Sequence, residues 1–246
     1  MFNIEIDVTL ECNFRCPSCN RLCDIISNNP KSVMTSLDME KILISLKPYL
    51  FKISQINILG GEPTLNPNIF DICNFLNSNI GNNINLILTT NNSHNDIVKK
   101  IHNLYPRIRI RCDDEYSNDI EYDIVNKKRP KIDRHLNFLY GRCDPQHIPY
   151  NKCKIYNKCG INIFKYLGNI KYYHCSPGKM ICILLQKDYL FKNSIEEILD
   201  DKTELDTVCS YCPEGRRYKI LYKNNKSISK LFKSGLCEYK RILGSV

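Results

Sequence analysis

Strands and helices alternate along the first 112 residues, and that alternation commits the chain to a parallel sheet wrapped by helices. Ile4, Ile6, Val8 and Leu10 alternate with Asn3, Glu5, Asp7 and Thr9, the period of a strand. Ser36 precedes Leu37, Ile42, Leu43, Leu46 and Leu50, the spacing of an amphipathic helix. Ile53 to Leu59 reads as a short apolar strand ending at Gly60-Gly61, and Ile69 to Leu76 as a helix. Ile84 to Leu88 is a strand that runs into Thr89-Thr90-Asn91, Asp96 to Tyr105 a helix, and Ile108 to Cys112 a strand. Ligand sites in such folds gather at the carboxyl ends of the strands. The distinctive residues occupy that edge: a cysteine loop after the first strand, Gly-Gly-Glu after the second, Thr-Thr-Asn after the third and Asp113-Asp114 after the fourth.

The pattern fades after about residue 113, and residues 115–135 read as a helix or a long connection. Further on, Ile161 to Leu167 and Ile170 to Cys175 flank Gly168-Asn169, which predicts a hairpin around a Gly-Asn turn. Ser194 with Glu197 is a capping box for a short helix, Ile195 to Leu199. The chain therefore divides near residue 140, into an α/β core over residues 1–140 and a small cysteine-rich unit over 141–214.

Fourteen cysteines in 246 residues is a high count. The amino terminus has no basic segment followed by an apolar one, and no window nears the 18 apolar residues of a membrane span. The cytosol is the expected compartment, where clustered thiols serve metal or redox chemistry and not structural disulfides. The groups are Cys12, Cys16, Cys19 and Cys23; Cys143, Cys153, Cys159, Cys175 and Cys182; and Cys209 with Cys212. Cys73, Cys112 and Cys237 stand apart and read as small buried hydrophobes. Residues 215–246 carry nine Lys or Arg against Glu238 alone, a net +8 of the chain's +9. Such a tail is either a solvated terminal segment or a dock for nucleic acid or an acidic partner.

Cys12-x3-Cys16-x2-Cys19 puts three thiolates in one short loop. They can hold three irons of a 4Fe–4S cube and leave the fourth open. Zinc wants four ligands, and Cys23 could supply the fourth, so this loop by itself allows either metal. In Gly60-Gly61-Glu62-Pro63-Thr64, the glycines let backbone approach a ligand closely, and the carboxylate can accept from an ammonium group. Alone, this stretch would be a tight turn. Arg109 and Arg111 share one face of their strand. Cys159 and Cys175 flank the hairpin, and Cys209-x2-Cys212 follows the capped helix, a second set able to close around a metal, zinc included.

Together these motifs resemble the radical S-adenosylmethionine (radical SAM) superfamily over residues 4–213. The later cysteines are similar to the twitch domain, the one-cluster version of the SPASM domain, as in small enzymes of the 2-deoxy-scyllo-inosamine dehydrogenase type. The resemblance implies a partial (β/α)6 barrel followed by a cysteine-rich twitch domain of hairpin plus helix. It implies that Cys12, Cys16 and Cys19 hold a 4Fe–4S cluster whose open iron binds SAM. Gly60, Gly61 and Glu62 would hold the SAM amino group, with Thr90 and Asn91 at the adjoining strand end. Asn92 stands where relatives have glycine, and Arg111-Cys112-Asp113-Asp114 where they carry a Ser-x-Asp ribose contact, with Cys112 in the serine position and Asp113 among the SAM-binding residues. Arg111, or Arg109, would face the SAM carboxylate. Cys159, Cys175, Cys209 and Cys212 would fully ligate a second, auxiliary 4Fe–4S cluster, with Cys153 and Cys182 as the substitutes.

The implied reaction starts with an electron from a reductase such as flavodoxin or ferredoxin. SAM is cleaved to methionine and a 5′-deoxyadenosyl radical, which takes a hydrogen from a small polar substrate. With the auxiliary cluster as electron acceptor, the outcome is a two-electron oxidation that needs a general base. Arg142, Asp144, His147 and His174 are the candidates. One alternative is modification of a peptide, RNA or DNA docked by the basic tail. A non-catalytic iron–sulfur or zinc protein is another, and Gly60-Gly61-Glu62 beside the cysteine loop argues against it.

Overall fold

The computed structural model describes residues 2–14, 21, 23, 32–112, 123–124, 160–184 and 188–200. β1 (Phe2–Thr9) leads through the cysteine loop to α1 (Ser36–Leu46). Thr35 caps that helix: its hydroxyl accepts from Asp38 N–H, and the Asp38 carboxylate accepts from Thr35 N–H. Pro48 removes a helical donor, so the chain tightens into a 3₁₀ segment, Lys47–Lys52, where the apolar spacing predicts helix as far as Leu50. There follow β2 (Ile53–Gly60), α2 (Ile69–Asn79), β3 (Asn85–Thr89), α3 (Asn95–Leu104), β4 (Ile108–Cys112) and β5 (Asp123–Ile124). The carboxyl-terminal part supplies β6 (Ile161–Tyr166), β7 (Asn169–Tyr173), α4 (Ser176–Leu184) and α5 (Ile195–Asp200).

Among the described residues these strands form one sheet, in the order β5-β4-β3-β2-β1-β6-β7. All pairs are parallel except β6 with β7. β6 lies directly beside β1, in the register Ile4↔Ile161 to Asp7↔Phe164. The result is an α/β fold built on a largely parallel sheet.

The two faces of the sheet differ in kind. On one, Ile4, Ile6 and Val8 join Ile56, Ile58, Leu86 and Leu88 under α1, α2 and α3. Each such side chain contributes about 1.5–3 kcal/mol by leaving water. Ile6 is fully buried, and Ile6→Ala is expected to cost about 2–5 kcal/mol. Cys73 and Cys112 are buried in this layer, and burial pushes the Cys73 thiol up to about 12, so it stays protonated. The other face carries Glu5, Asp7, Thr9, Asn57 and Asn162, and α4 covers part of it.

The hairpin turn is corrected by the structure. Its central residues are Leu167 (φ 49°) and Gly168 (φ 87°), and Asn169 already belongs to β7. A two-residue turn of this hand needs positive φ at both positions, and the β6–β7 register places Leu167 at the first. The capped helix α5 has Glu197 N–H donating to Ser194, while the Glu197 carboxylate accepts from Asn193 N–H, one residue earlier than in a standard box.

Candidate functional site

Glu62 is the hub of the strand ends. Its carboxylate is fully buried and accepts from Thr64 N–H (3.1 Å), the Thr64 hydroxyl (2.6 Å), the Thr90 hydroxyl (2.7 Å) and Asn91 N–H (2.7 Å). The first three reach Oε1 and the last reaches Oε2, and all four donors are neutral. Because Thr64 spends its hydroxyl proton on Glu62, it accepts from His94 Nδ1 (3.1 Å), which puts a proton on that nitrogen. Gly60 and Gly61 bring this hub against the start of the cysteine loop. Gly61 N–H donates to Thr9 C=O (3.0 Å) and Glu62 N–H to Glu11 C=O (2.7 Å). A Cβ on either glycine would overlap the Thr9 or Glu11 carbonyl oxygen, and Gly60 has φ 147°.

The third strand end closes the ring. Thr90 N–H donates to Arg111 C=O (2.9 Å), tying β3 to β4. Asn92 takes φ 58°, the left-handed conformation that asparagine tolerates best after glycine, which explains how it replaces glycine here. Asn91 reaches back to the cysteine loop. Its side-chain amide donates to Asn13 Oδ1 (3.0 Å) and approaches Cys12 Sγ (3.9 Å), while Asn13 donates to Ser93 (2.8 Å). Glu62, Thr90, Asn91 and Cys12 are thus joined by contacts among three strand ends.

Cys12 and Cys175 are the two expected metal ligands that are described; Cys16, Cys19, Cys159, Cys209 and Cys212 lie outside the described residues. Both thiols are half-buried. Each accepts a backbone N–H from just downstream, Cys12 from Phe14 and Cys175 from Gly178, both at 3.4 Å. Such bonds favour the thiolate, the form that binds iron and whose potential they tune. A thiol so placed is the donor type an iron–sulfur cluster takes. Among the described residues no three His, Cys, Asp or Glu side chains form a metal-binding group.

The remaining predicted positions divide. Arg111 is half-buried on the polar face with Arg109, which is exposed. Cys112 points into the apolar layer, so it offers no ribose contact. Asp113, Arg142, Asp144 and His147 lie outside the described residues. His174 is buried after β7 with its ring 5.8 Å from that of Tyr173. Cys182 is buried in α4.

A second group on the polar face is absent from the sequence reading. Asp7 and Lys179 are both fully buried and paired with each other. Arg21, from the cysteine loop, donates from Nε to Asp7 (3.2 Å) and from a terminal nitrogen to Glu5 (3.1 Å). Lys179 Nζ also sits 4.8 Å from the centre of the Phe164 ring, directly across from Asp7 in the β1–β6 register. Burial pushes the Asp7 carboxyl up, but Lys179 and Arg21 outweigh it and hold it below the usual carboxylate range. Burial wins at Glu5, which lies above that range despite Arg21. The strand's alternation of charged with apolar residues was the available signal, since strands of a parallel sheet are covered on both faces.

A family profile described as a 4Fe-4S single cluster domain matches residues 8–129. Among solved structures, BtrN in complex with AdoMet and 2-DOIA is similar over 95% of this chain and 86% of its own, at 13% identity and a TM-score of 0.50. Streptococcus suis SuiB bound to S-adenosylmethionine is similar over 45% of this chain and 24% of its own, at 21% identity and a TM-score of 0.37. SuiB bound to precursor peptide SuiA gives 20% identity over the same shares, with a TM-score of 0.37. The chain thus spans about a quarter of the SuiB chain it matches. No curated protein sequence matches it. No helix among the described residues is long and apolar enough to cross a membrane.

Proposed function

We propose that this chain is a radical SAM enzyme of the SPASM/twitch subgroup, and that it removes hydrogen from a small polar substrate in a two-electron oxidation. When bound, the cluster and SAM supply reductive cleavage to methionine and a 5′-deoxyadenosyl radical, the species that takes the hydrogen. The observation that carries the reading is the ring of contacts from Cys12 through Asn91 to Glu62. Four neutral donors satisfy the buried Glu62 oxygens without bringing a positive charge to them, which suits an ammonium group.

In this reading Cys12, Cys16 and Cys19 hold the first cluster. Gly60, Gly61 and Glu62 receive the SAM amino group, Thr90 and Asn91 orient Glu62, and Arg111 faces the SAM carboxylate with Asp113 toward the ribose. Cys159, Cys175, Cys209 and Cys212 would ligate an auxiliary cluster, which when bound would supply an acceptor for the substrate's second electron. The general base is one of Arg142, Asp144, His147 and His174, and the first electron comes from a reductase such as flavodoxin or ferredoxin. The 13% identity to BtrN, which is bound to AdoMet and 2-DOIA, makes a small polar ligand the first class to screen.

Anaerobic reconstitution tests it. The protein should hold about eight irons and eight sulfides, two cubes, and form 5′-deoxyadenosine from SAM under reduction. Cys12→Ala, Cys16→Ala or Cys19→Ala should each abolish that product. Zinc without iron, or SAM cleavage retained in any of the three, sinks the reading. A macromolecular substrate is the rival, favoured by the +8 of residues 215–246. Deleting those residues should leave a small-molecule activity in place and remove a salt-sensitive nucleic-acid affinity.

A further inference from the structure

Arg21 and Lys179 come from the two cysteine segments that are far apart in the chain. Arg21 stands two residues after Cys19, and Lys179 four residues after Cys175. Both reach the same carboxylate: Arg21 binds Asp7 Oδ1 and Lys179 binds Asp7 Oδ2. Lys179 N–H also donates to Cys175 C=O (3.1 Å), so the helix turn that carries the cation begins at the cysteine. Asp7 is fully buried in the middle of the sheet, on a strand flanked by β2 and β6. Both cations are thus held by one side chain of a central strand.

We propose that Asp7 is a positioning residue that clamps the two cysteine segments together and couples the properties of the two clusters. The proposal rests on the two-cluster reading above. A buried ion network of this kind transmits charge well, because little water screens it. Removing a cation from it makes the surroundings of both clusters more negative, which disfavours the extra electron of a reduced cluster. A substitution in one segment then registers at the cluster of the other.

The test separates the clusters. In a Cys12→Ala/Cys16→Ala/Cys19→Ala background, only the auxiliary cluster is left, with about four irons per chain. Arg21→Gln added to that background should move the auxiliary cluster's midpoint potential downward in a redox titration, and shift its reduced-state EPR signal. Arg21→Lys, which keeps the charge, should restore both toward the background. In the converse Cys175→Ala/Cys209→Ala/Cys212→Ala background, Lys179→Met should lower the potential of the first cluster. Arg21 is partly exposed, so its variants are the ones expected to fold, and a thermal melt checks this. An unchanged auxiliary potential and spectrum in Arg21→Gln, beside a lowered melting temperature, would make the network merely structural and overturn the proposal. A first-loop triple variant that binds no iron overturns the two-cluster reading instead, and the proposal with it.

Discussion

Glu62 and Asp7 are both fully withdrawn from solvent in adjacent parts of one sheet, yet they are satisfied in opposite ways. Glu62 is held by hydroxyls and backbone N–H groups, Asp7 by an ammonium and a guanidinium. Neutral donors stabilise a carboxylate without cancelling its charge, so Glu62 keeps an electrostatic demand at the strand edge. Cations cancel it, so Asp7 keeps none. The same residue class thus serves a binding position in one place and a structural junction in the other, and the partners decide which.

Removing the charge should therefore have unequal consequences. Asp7→Asn leaves Lys179 without its carboxylate and takes one of two from Arg21, and breaking one partner of a buried pair costs about 3–5 kcal/mol. Urea unfolding of the apoprotein measures this. Asp7→Leu combined with Lys179→Met should recover most of the loss, because apolar groups of similar volume replace the pair without stranding a charge. If Asp7→Asn is as stable as the native chain, the contrast between the two carboxylates collapses.

The glycines beside Glu62 should come next. Gly61→Ala drives a methyl group into the Glu11 carbonyl, and Gly60→Ala adds the cost of φ 147°. Strain of this kind costs about 1–3 kcal/mol. The larger consequence is local: β2 must draw away from the cysteine loop, so SAM affinity falls further than stability does. Equal losses in both quantities would mean that the glycines serve the fold alone.

Much of this was legible in the sequence because strand ends announce themselves. The period-two run at Ile4 to Val8 and the short apolar run at Ile84 to Leu88, each followed by a motif, mark both the strands and the edge where the motifs meet. Asn91 and Glu62 are neighbours for the same reason. What stayed hidden depends on cover supplied from afar. Ser176-Pro177-Gly178 looks like a break, yet it opens α4, since proline suits a first helical turn. Lysine is a surface residue by habit, so nothing in the local pattern marks Lys179 as buried. Its burial follows from β6 docking beside β1, a pairing between residues about 157 apart in sequence (Ile4↔Ile161).

Glu62→Gln keeps the shape of the hub and removes its charge. The amide oxygen can still accept from Thr64 and Thr90, but its NH2 then meets the Asn91 N–H, so stability should fall by about 1–3 kcal/mol. SAM binding to the cluster-loaded protein should weaken at least tenfold, roughly 1.4 kcal/mol, if the carboxylate attracts the ammonium. Equilibrium dialysis with labelled SAM reads this. Native affinity in Glu62→Gln would reduce Glu62 to a staple between β2 and β3, and the charge argument would fail.

The smallest effect concerns pH, and it distinguishes Asp7 from its neighbour Glu5. Asp7 lies below its ordinary 3.8 in the folded protein, so its contribution is complete above that value. The contribution is lost as the pH falls through the lower folded value. Glu5 is shifted the other way, above its ordinary 4.5, because burial outweighs Arg21. The folded state therefore takes up a proton at Glu5 before the unfolded chain does. Stability from Glu5 grows as the pH falls from neutral through its raised folded value, and levels off below about 4.5. The two contributions oppose each other and place a maximum in the mildly acid range. Glu5→Gln should flatten the limb above that maximum and leave the acid loss intact. The Asp7→Leu/Lys179→Met pair should reduce the acid loss. Unfolding free energies at a series of pH values, one series per variant, resolve the two limbs. An unchanged limb in Glu5→Gln would mean that Arg21 holds Glu5 as firmly as it holds Asp7, and that the buried network contains two neutralised carboxylates where the structure indicates one.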